Sequence, residues 1–297
     1  MKNKKMTYDV DECPPVGKWI VLALQHVFAM FGATILVPIL VNSAAGEEVL
    51  TIPVALVTSG IGTLIYILCT KGKSPVYLGS SFAFIAPIAA AFMKGGISGA
   101  MTGIMTVGLI YIIVSIIIRL AGKAWLDKIL PPVVIGPMIM VIGLGLSSSA
   151  VDNTGIVAGG DWRAMIVAIA TLLFIAFLSI KGKGFFIKII PFLLGIIGGY
   201  LVAICLNWIG DKPLINFEPL VEVIKDPSKW FTLPKFIFLG WKDAELGAGV
   251  SMTKVSFSAV LTVIPLAFAT ICEHIGDHKV LGKITNRDYI SSPGLHR

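Results

Sequence analysis

Charge is scarce along this sequence. Charged residues make up 14% of the 297, where a soluble domain carries about 25%. Strand-like alternation of apolar and polar residues is also missing, which argues against a membrane β-barrel. Cysteine is limited to Cys13, Cys69, Cys205 and Cys272, isolated from one another and mostly inside apolar segments. Such spacing suggests neither a disulfide framework nor a zinc knuckle. The first fifteen residues are polar and lack the layout of a cleaved signal peptide, so the first apolar run is expected to stay in place as an anchor. There is no Walker-type phosphate loop, nucleotide fold or globular energising domain, which argues against primary active transport driven by this chain.

What is abundant is long apolar sequence. Hydrophobic residues reach 56% and the mean hydropathy is +0.89. Runs of about 20 apolar residues cross a bilayer as helices, because intrahelical hydrogen bonds satisfy the backbone where water is absent. Thirty-one Gly and sixteen Pro suit a packed helical bundle, with small residues at close approaches and Pro at kinks or unwound points. The fold class is therefore all-α, a polytopic membrane protein. Spans are predicted at residues 17–41, 51–70, 76–93, 97–119, 131–149, 162–180, 184–208 and 255–279. The third is short and opens on the irregular string Tyr77-Leu78-Gly79-Ser80-Ser81, which does not read as an ordinary lipid-facing helix.

A net charge of +7 in a soluble protein would suggest a nucleic-acid partner. Its distribution here points to topology instead, and no nucleic acid is expected. With a cytoplasmic N-terminus, Lys2, Lys4, Lys5, Lys18, Lys71, Lys73, Arg119, Lys123, Lys128, Lys181, Lys183, Lys188, Lys279, Lys283, Arg287 and Arg297 all fall inside. The short outer loops hold Lys94 and Arg163 beside Glu47, Glu48, Asp152 and Asp161. This bias follows the positive-inside rule through every short loop. Residues 209–254 form a long mixed-charge loop, expected outside, with a short amphipathic piece near 233–239.

Ionisable residues are absent from most spans, which singles out the eighth. Its end carries Glu273, His274, Asp277 and His278. Intramembrane charge is costly and usually faces a cavity, a partner or an ion route. Glu273 and Asp277 lie four residues apart, hence on one helix face, where two carboxylates can share or relay a proton. The competing reading is an interfacial polar cap at the membrane exit. Two carboxylates and two histidines are potential metal ligands, but neighbouring residues on a helix diverge by about 100°, so the four do not converge and no metal is expected. Gln25 and His26 form a polar pair in the first span, with packing and functional roles equally open. In Gly79-Ser80-Ser81-Phe82-Ala83-Phe84, irregular backbone would present unpaired groups to a cavity. Phe82 or Phe84 would then stack on a planar ligand or simply pack. These residues reach as far as a secondary transporter, with a membrane-embedded enzyme or a scaffold subunit as alternatives from other classes. An enzyme would need a clustered metal site or an activated nucleophile, and neither is visible.

Five strings together resemble the nucleobase:cation symporter family of uracil and xanthine permeases. They are Leu24-Gln25-His26-Val27-Phe28-Ala29-Met30-Phe31-Gly32-Ala33-Thr34, Tyr77-Leu78-Gly79-Ser80-Ser81-Phe82-Ala83-Phe84, Pro131-Pro132-Val133-Val134-Ile135-Gly136-Pro137, Glu273-His274-Ile275-Gly276-Asp277 and Pro293-Gly294-Leu295-His296-Arg297. The bacterial uracil-permease branch is the nearest in pattern. The resemblance implies two inverted repeats of seven segments, with short extended pieces opening the third and tenth. It divides the chain into a cytoplasmic N-terminus (1–16), core segments one to four (17–128), gate segments five to seven (129–208), an extracellular loop (209–254), segment eight (255–279) and a cytoplasmic loop (280–297). It implies substrate binding by Glu273, Phe82 and Ala83, and a proton-coupling or polar network of Asp277, His274, His26 and Gln25. Some members carry His where Asp277 stands, with an ordinary pKa of about 6.5 rather than about 3.9. His274 favours uracil over xanthine or another purine.

The implied activity is proton-coupled uracil symport in the cell membrane, driven by the proton gradient without a cofactor. Its partners would be uracil or a related nucleobase, protons and membrane lipid, and a homodimer is compatible with it. The sequence stops after the eighth span, as in a C-terminally truncated chain or one completed by a second polypeptide. Either way residues 1–297 alone are expected not to transport.

Overall fold

The computed structural model describes residues 8–122, 124–157, 159–182, 187, 191–210, 213–227, 234, 236 and 257–297. Every regular element among them is helical. In chain order they are α1 (Val16–Ala45), α2 (Ile52–Thr70), a 3-10 turn (Phe82–Phe84), α3 (Ile85–Ala121), α4 (Ala124–Ile129), α5 (Pro132–Gly145), α6 (Ser147–Asn153), α7 (Trp162–Lys181), α8 (Pro191–Leu206), α9 (Glu218–Lys225), α10 (Phe257–Thr285) and a short π-helical turn (Ile290–Gly294). Among the described residues six stretches are long and apolar enough to cross a membrane: Val16–Ala45, Ile52–Thr70, Phe82–Ala121, Val133–Asn153, Trp162–Lys181 and Phe257–Thr285. Leu193–Leu206 is a shorter apolar helix.

Several boundaries differ from those expected. The fifth span, expected at 131–149, divides into α5 and α6. The eighth runs past 279 to Thr285, so Asp277 and His278 lie within the helix rather than at its exit. In the long loop an amphipathic helix forms at Glu218–Lys225, with Pro in its first turn. The piece expected near 233–239 lies, apart from single positions, outside the described residues, as does the start of the seventh span.

Two compact units divide the chain. The first comprises Met1–Pro15, Gly32–Gly143 and Pro234–Arg297. Its centre is the packing of α3 on α10, around Ala91, Val107, Ala259, Val263, Leu266 and Ala267, with Phe84 and Tyr111 against them. Small residues make the approach close. A Cβ on Gly99 would stand 3.0 Å from Ala259 Cβ, and one on Gly103 would stand 2.7 Å from Val263 Cγ2. The pairs step forward together along both helices, so the second half of α3 and α10 run in the same direction. That is the parity expected of a fourth and an eighth span.

The third and fourth spans are joined without a polar loop. Gly95 (φ −146°, ψ 15°) and Gly96 (φ 61°, ψ −160°) break the helix, the second in a region open essentially to glycine alone. A Cβ on Gly99 would meet the Ala91 carbonyl oxygen at 2.9 Å. Eight residues of uninterrupted helix would separate those positions by about 12 Å, so the chain doubles back here. The expected gap between the spans, after residue 93 and before 97, falls on this reversal. Between α1 and α2 the turn is fixed by Asn42, whose Nδ2 donates to the Leu50 carbonyl (2.7 Å) while Oδ1 accepts from the Val49 and Leu50 amides.

The second unit comprises Val16–Phe31 and Leu144–Leu233. Within it α7 and α8 pack closely, with Gly195, Gly198 and Gly199 facing Ile175, Phe174 and Thr171. Asp161 caps α7, accepting from the Arg163 amide at 2.9 Å. The Arg163 guanidinium grips the same carboxylate through Nε and Nη2 and donates through Nη1 to the Ile209 carbonyl at 2.6 Å. The guanidinium hydrogen bonds, with the amide bond, hold the Asp161 carboxyl below its ordinary value of 3.8. A carboxyl depressed on folding stabilises the fold above its unfolded value, and that contribution is lost only as the pH falls below about 4. Asp161→Asn is therefore expected to lower the unfolding temperature of the purified protein equally at pH 7 and pH 5. Thermal melts at the two pH values check this; a loss confined to pH 7 would refute it.

Candidate functional site

The site lies in the first unit, where residues 77–81 run non-helically between α2 and the 3-10 turn. Backbone groups outside a helix need other partners at membrane depth, and α2 supplies them. Ser59, Thr63, Tyr66 and Thr70 recur at spacings of four, three and four, which places them on one helix face. Thr63 and Thr70 are buried, while Leu68 on the opposite side is 76% exposed. The helix thus turns its hydroxyls inward and its leucines outward. Thr63 Oγ1 accepts from the Leu78 amide at 3.0 Å, and the Ser59 hydroxyl donates to the Leu78 carbonyl. Ser59 also bonds the Tyr77 hydroxyl at 2.9 Å. Beyond Leu78 this support stops: among the described residues the amides of Gly79, Ser80, Ser81 and Phe82 have no hydrogen-bond acceptor.

Ser81 ends the extended piece and caps the turn that follows, its Oγ accepting from the Ala83 amide at 3.3 Å. The same hydroxyl donates to Glu273 Oε2 at 2.7 Å. A carboxylate from the middle of α10 is therefore held at the mouth of a 3-10 turn, beside four unpaired amides. Phe82 and Ala83, expected at the substrate, are half-buried in that turn, and Ala83 packs on the α3–α10 core. These three predicted residues are brought together.

Asp277 is placed differently. Its side chain is exposed and lines a cavity of about 810 Å³ with Ile135, Ile139, His278, Lys283 and Arg287. The two carboxylates share no hydrogen bond. His274 lies alongside His278, ring centres 4.3 Å apart. Gln25 and His26 belong to Val16–Phe31, in the other unit. Among the described residues no three His, Cys, Asp or Glu side chains gather to hold a metal ion.

Three participants were given no site role by the sequence: His278, marked there only as an ionisable group near the end of its span, Tyr66 and Ser81. His278, at the expected end of its span, is 4% exposed; its Nδ1 bonds the His274 carbonyl and its Nε2 the Tyr66 hydroxyl, both at 2.8 Å. Tyr66 in turn bonds Ser74 at 3.0 Å. The signal for Tyr66 was present as the hydroxyl stripe on α2; nothing local marks Ser81 as the partner of Glu273.

Outside this unit's interior, the half-buried Arg287 side chain bonds Asp9 and Asp11 through Nη2 at 3.0 and 2.8 Å.

Comparison with known proteins places these features in context. A family model, Xan_ur_permease, described as Permease family, matches residues 17–297. A uracil permease of Bacillus subtilis (strain 168) is 43% identical over 304 residues, covering 100% of this chain and 63% of the relative. A uracil permease of Bacillus caldolyticus is 43% identical over 297 residues, covering 99% and 62%. A uracil permease of Escherichia coli (strain K12) is 36% identical over 294 residues, covering 97% and 60%. The chain thus spans about three fifths of the length of the curated relatives it matches. Together with the long apolar helices, these matches make it a multi-pass membrane protein.

Proposed function

The chain belongs to this permease family, and from that premise we propose that it serves the import of uracil with protons across the cell membrane, N-terminus in the cytoplasm. The observation that carries the proposal is the Glu273 carboxylate, fixed by Ser81 beside the unpaired amides of residues 79–82. Uracil alternates ring N–H donors with carbonyl acceptors around one edge. A carboxylate receives the N–H groups, and free amides donate to the carbonyls. Each such pairing replaces a hydrogen bond to water, and those to the charged carboxylate are the stronger. Phe82 offers an aromatic face close by, and His274, next to Glu273, favours the smaller pyrimidine over a purine. Relatives that carry the name uracil permease support the substrate class.

Energy would come from the proton gradient, with movement of core against gate segments exposing the site alternately. Binding of a proton and of substrate are linked wherever protonation changes the groups that hold the substrate. The test is uptake of radiolabelled uracil by uptake-deficient cells expressing the gene in full. Saturable uptake, abolished by a protonophore and unaffected by excess xanthine, is the expected result. Xanthine uptake in place of uracil would transfer the assignment to a purine, and a stable, inserted protein that moves no nucleobase would overturn transport.

A further inference from the structure

We propose that His278 is a protonatable relay group joining α10 to α2, separate from the carboxylate that faces the substrate. Its role in transport rests on the proton-coupled reading above; its protonation does not. The argument begins with which atoms can donate. The His274 carbonyl only accepts, so His278 Nδ1 carries a hydrogen whichever protonation state the ring is in. With a neutral ring, Nε2 has a lone pair and accepts from the Tyr66 hydroxyl. The hydrogen of Tyr66 is then engaged, so in the bond between Tyr66 and Ser74 the serine must be the donor. The chain runs Ser74 to Tyr66 to His278.

Adding one proton reverses it. A proton arriving at Ser74 Oγ sends the serine's own hydrogen to the Tyr66 oxygen, and the tyrosine hydrogen passes to Nε2. Nε2 now donates to Tyr66, which donates to Ser74. One proton has entered, one positive charge has appeared on the imidazole, and no heavy atom needs to move. Ser74 is 2% exposed but follows directly on the exposed turn at Lys71, Gly72 and Lys73, which gives the chain an outer end.

The surroundings determine what that charge meets. From its own helix His278 faces the His274 ring at 4.3 Å. Asp277 and Lys279 adjoin it in sequence, and α2 contributes Tyr66. The helix α5 brings only Ile135 and Ile139 against Gly276. The cavity that His278 lines also holds Lys283, Arg287 and Asp288, so a space lined by charges of both signs adjoins a ring that is otherwise shut away. The state of this ring is read by α2, whose same face grips Leu78 through Ser59 and Thr63. Through α10 it is also read one residue from Glu273, at the His274 carbonyl.

Two measurements on the full-length protein in lipid vesicles test the relay. Nitrogen-15 histidine resonance, with His278→Gln identifying the signal, is expected to show a hydrogen on Nδ1 in every state and a second one gained at Nε2 on acidification, with Tyr66→Phe displacing the Nε2 signal. Proton-driven uracil accumulation should fall by about 10-fold or more in His278→Gln and Tyr66→Phe, while exchange of uracil against uracil, which needs no net proton movement, stays within about threefold. A ring that remains neutral over the whole range, or variants that accumulate uracil normally, would overturn the relay. If the unaltered protein accumulates uracil regardless of a protonophore, proton coupling itself falls. The resonance measurement then decides the relay alone: a titrating ring upholds it and a fixed one ends it.

Discussion

Glu273→Gln is expected to weaken uracil binding by about 10- to 100-fold while leaving the protein inserted and folded. Hydrogen bonds to a charged group contribute about 1.5–3 kcal/mol, and each 1.4 kcal/mol is about tenfold in affinity. The carboxamide keeps the shape of the side chain, and its oxygen can still accept from Ser81, so the link between α10 and the 3-10 turn survives. What it loses is the charge and one acceptor, since the amide nitrogen would confront a ring N–H as another donor. Ser81→Ala makes a useful companion. It leaves the carboxylate intact but free to swing, and a loss clearly smaller than that of Glu273→Gln is expected. Equilibrium binding of labelled uracil to purified full-length protein separates the two; unchanged affinity in Glu273→Gln would remove Glu273 from the substrate site.

The second large effect is expected at Gly103. Any side chain there meets Val263, with a Cβ placed 2.7 Å from Cγ2 and 3.3 Å from Cβ of that residue. Both partners are helix positions in a packed core, so α3 and α10 must separate or rotate, and overpacking of this kind costs about 1–3 kcal/mol. Gly103→Ala should therefore lower resistance to thermal unfolding in detergent, and Gly103→Leu should do so more strongly. Adding Val263→Ala to Gly103→Ala removes the colliding methyl groups and should restore part of the loss. Simple additivity of the two single effects in a double-mutant cycle would show that the contact does not exist. Transport should suffer as well, because Ser81 leads into α3 and Glu273 sits on α10, and a separation of even 1 Å alters their 2.7 Å bond.

How much of this could be read in advance depended on the range of the interaction. Spans were legible because hydropathy is a local property, and the break at Gly95 and Gly96 because two successive glycines end a helix. The non-helical string at 77–81 was legible as irregular, since it combines Gly79 with two serines at the start of an apolar run. Its partner on α2 was only half visible: Ser59, Thr63, Tyr66 and Thr70 carry the spacing of a helix face, but single hydroxyls are common in membrane helices and attract no notice. The pairings of Ser81 with Glu273 and of Tyr66 with His278 join residues 192 and 212 positions apart, and no local pattern encodes such a meeting. His278 shows a further limit. Charged residues at the end of an apolar run read as an interfacial cap, yet α10 continues to Thr285 and carries the imidazole inside. Placing Asp277 and Glu273 on one face was sound helix geometry. The packing around them then gave one a serine partner and the other a cavity.

The hydroxyl face of α2 has a bearing on how the protein is made. A chain enters the membrane from its N-terminal side, at about 5–20 residues per second. The residues that will hold Leu78 are therefore in place before Leu78 itself emerges. Glu273 follows Ser81 by 192 residues, a delay of roughly 10–40 s at that rate of synthesis. During this interval an extended, partly unpaired segment must sit among lipids, where each unsatisfied backbone group costs several kcal/mol. The preceding helix relieves that exposure only at Leu78, whose partners Ser59 and Thr63 are made first; the amides beyond it wait for the rest of the site.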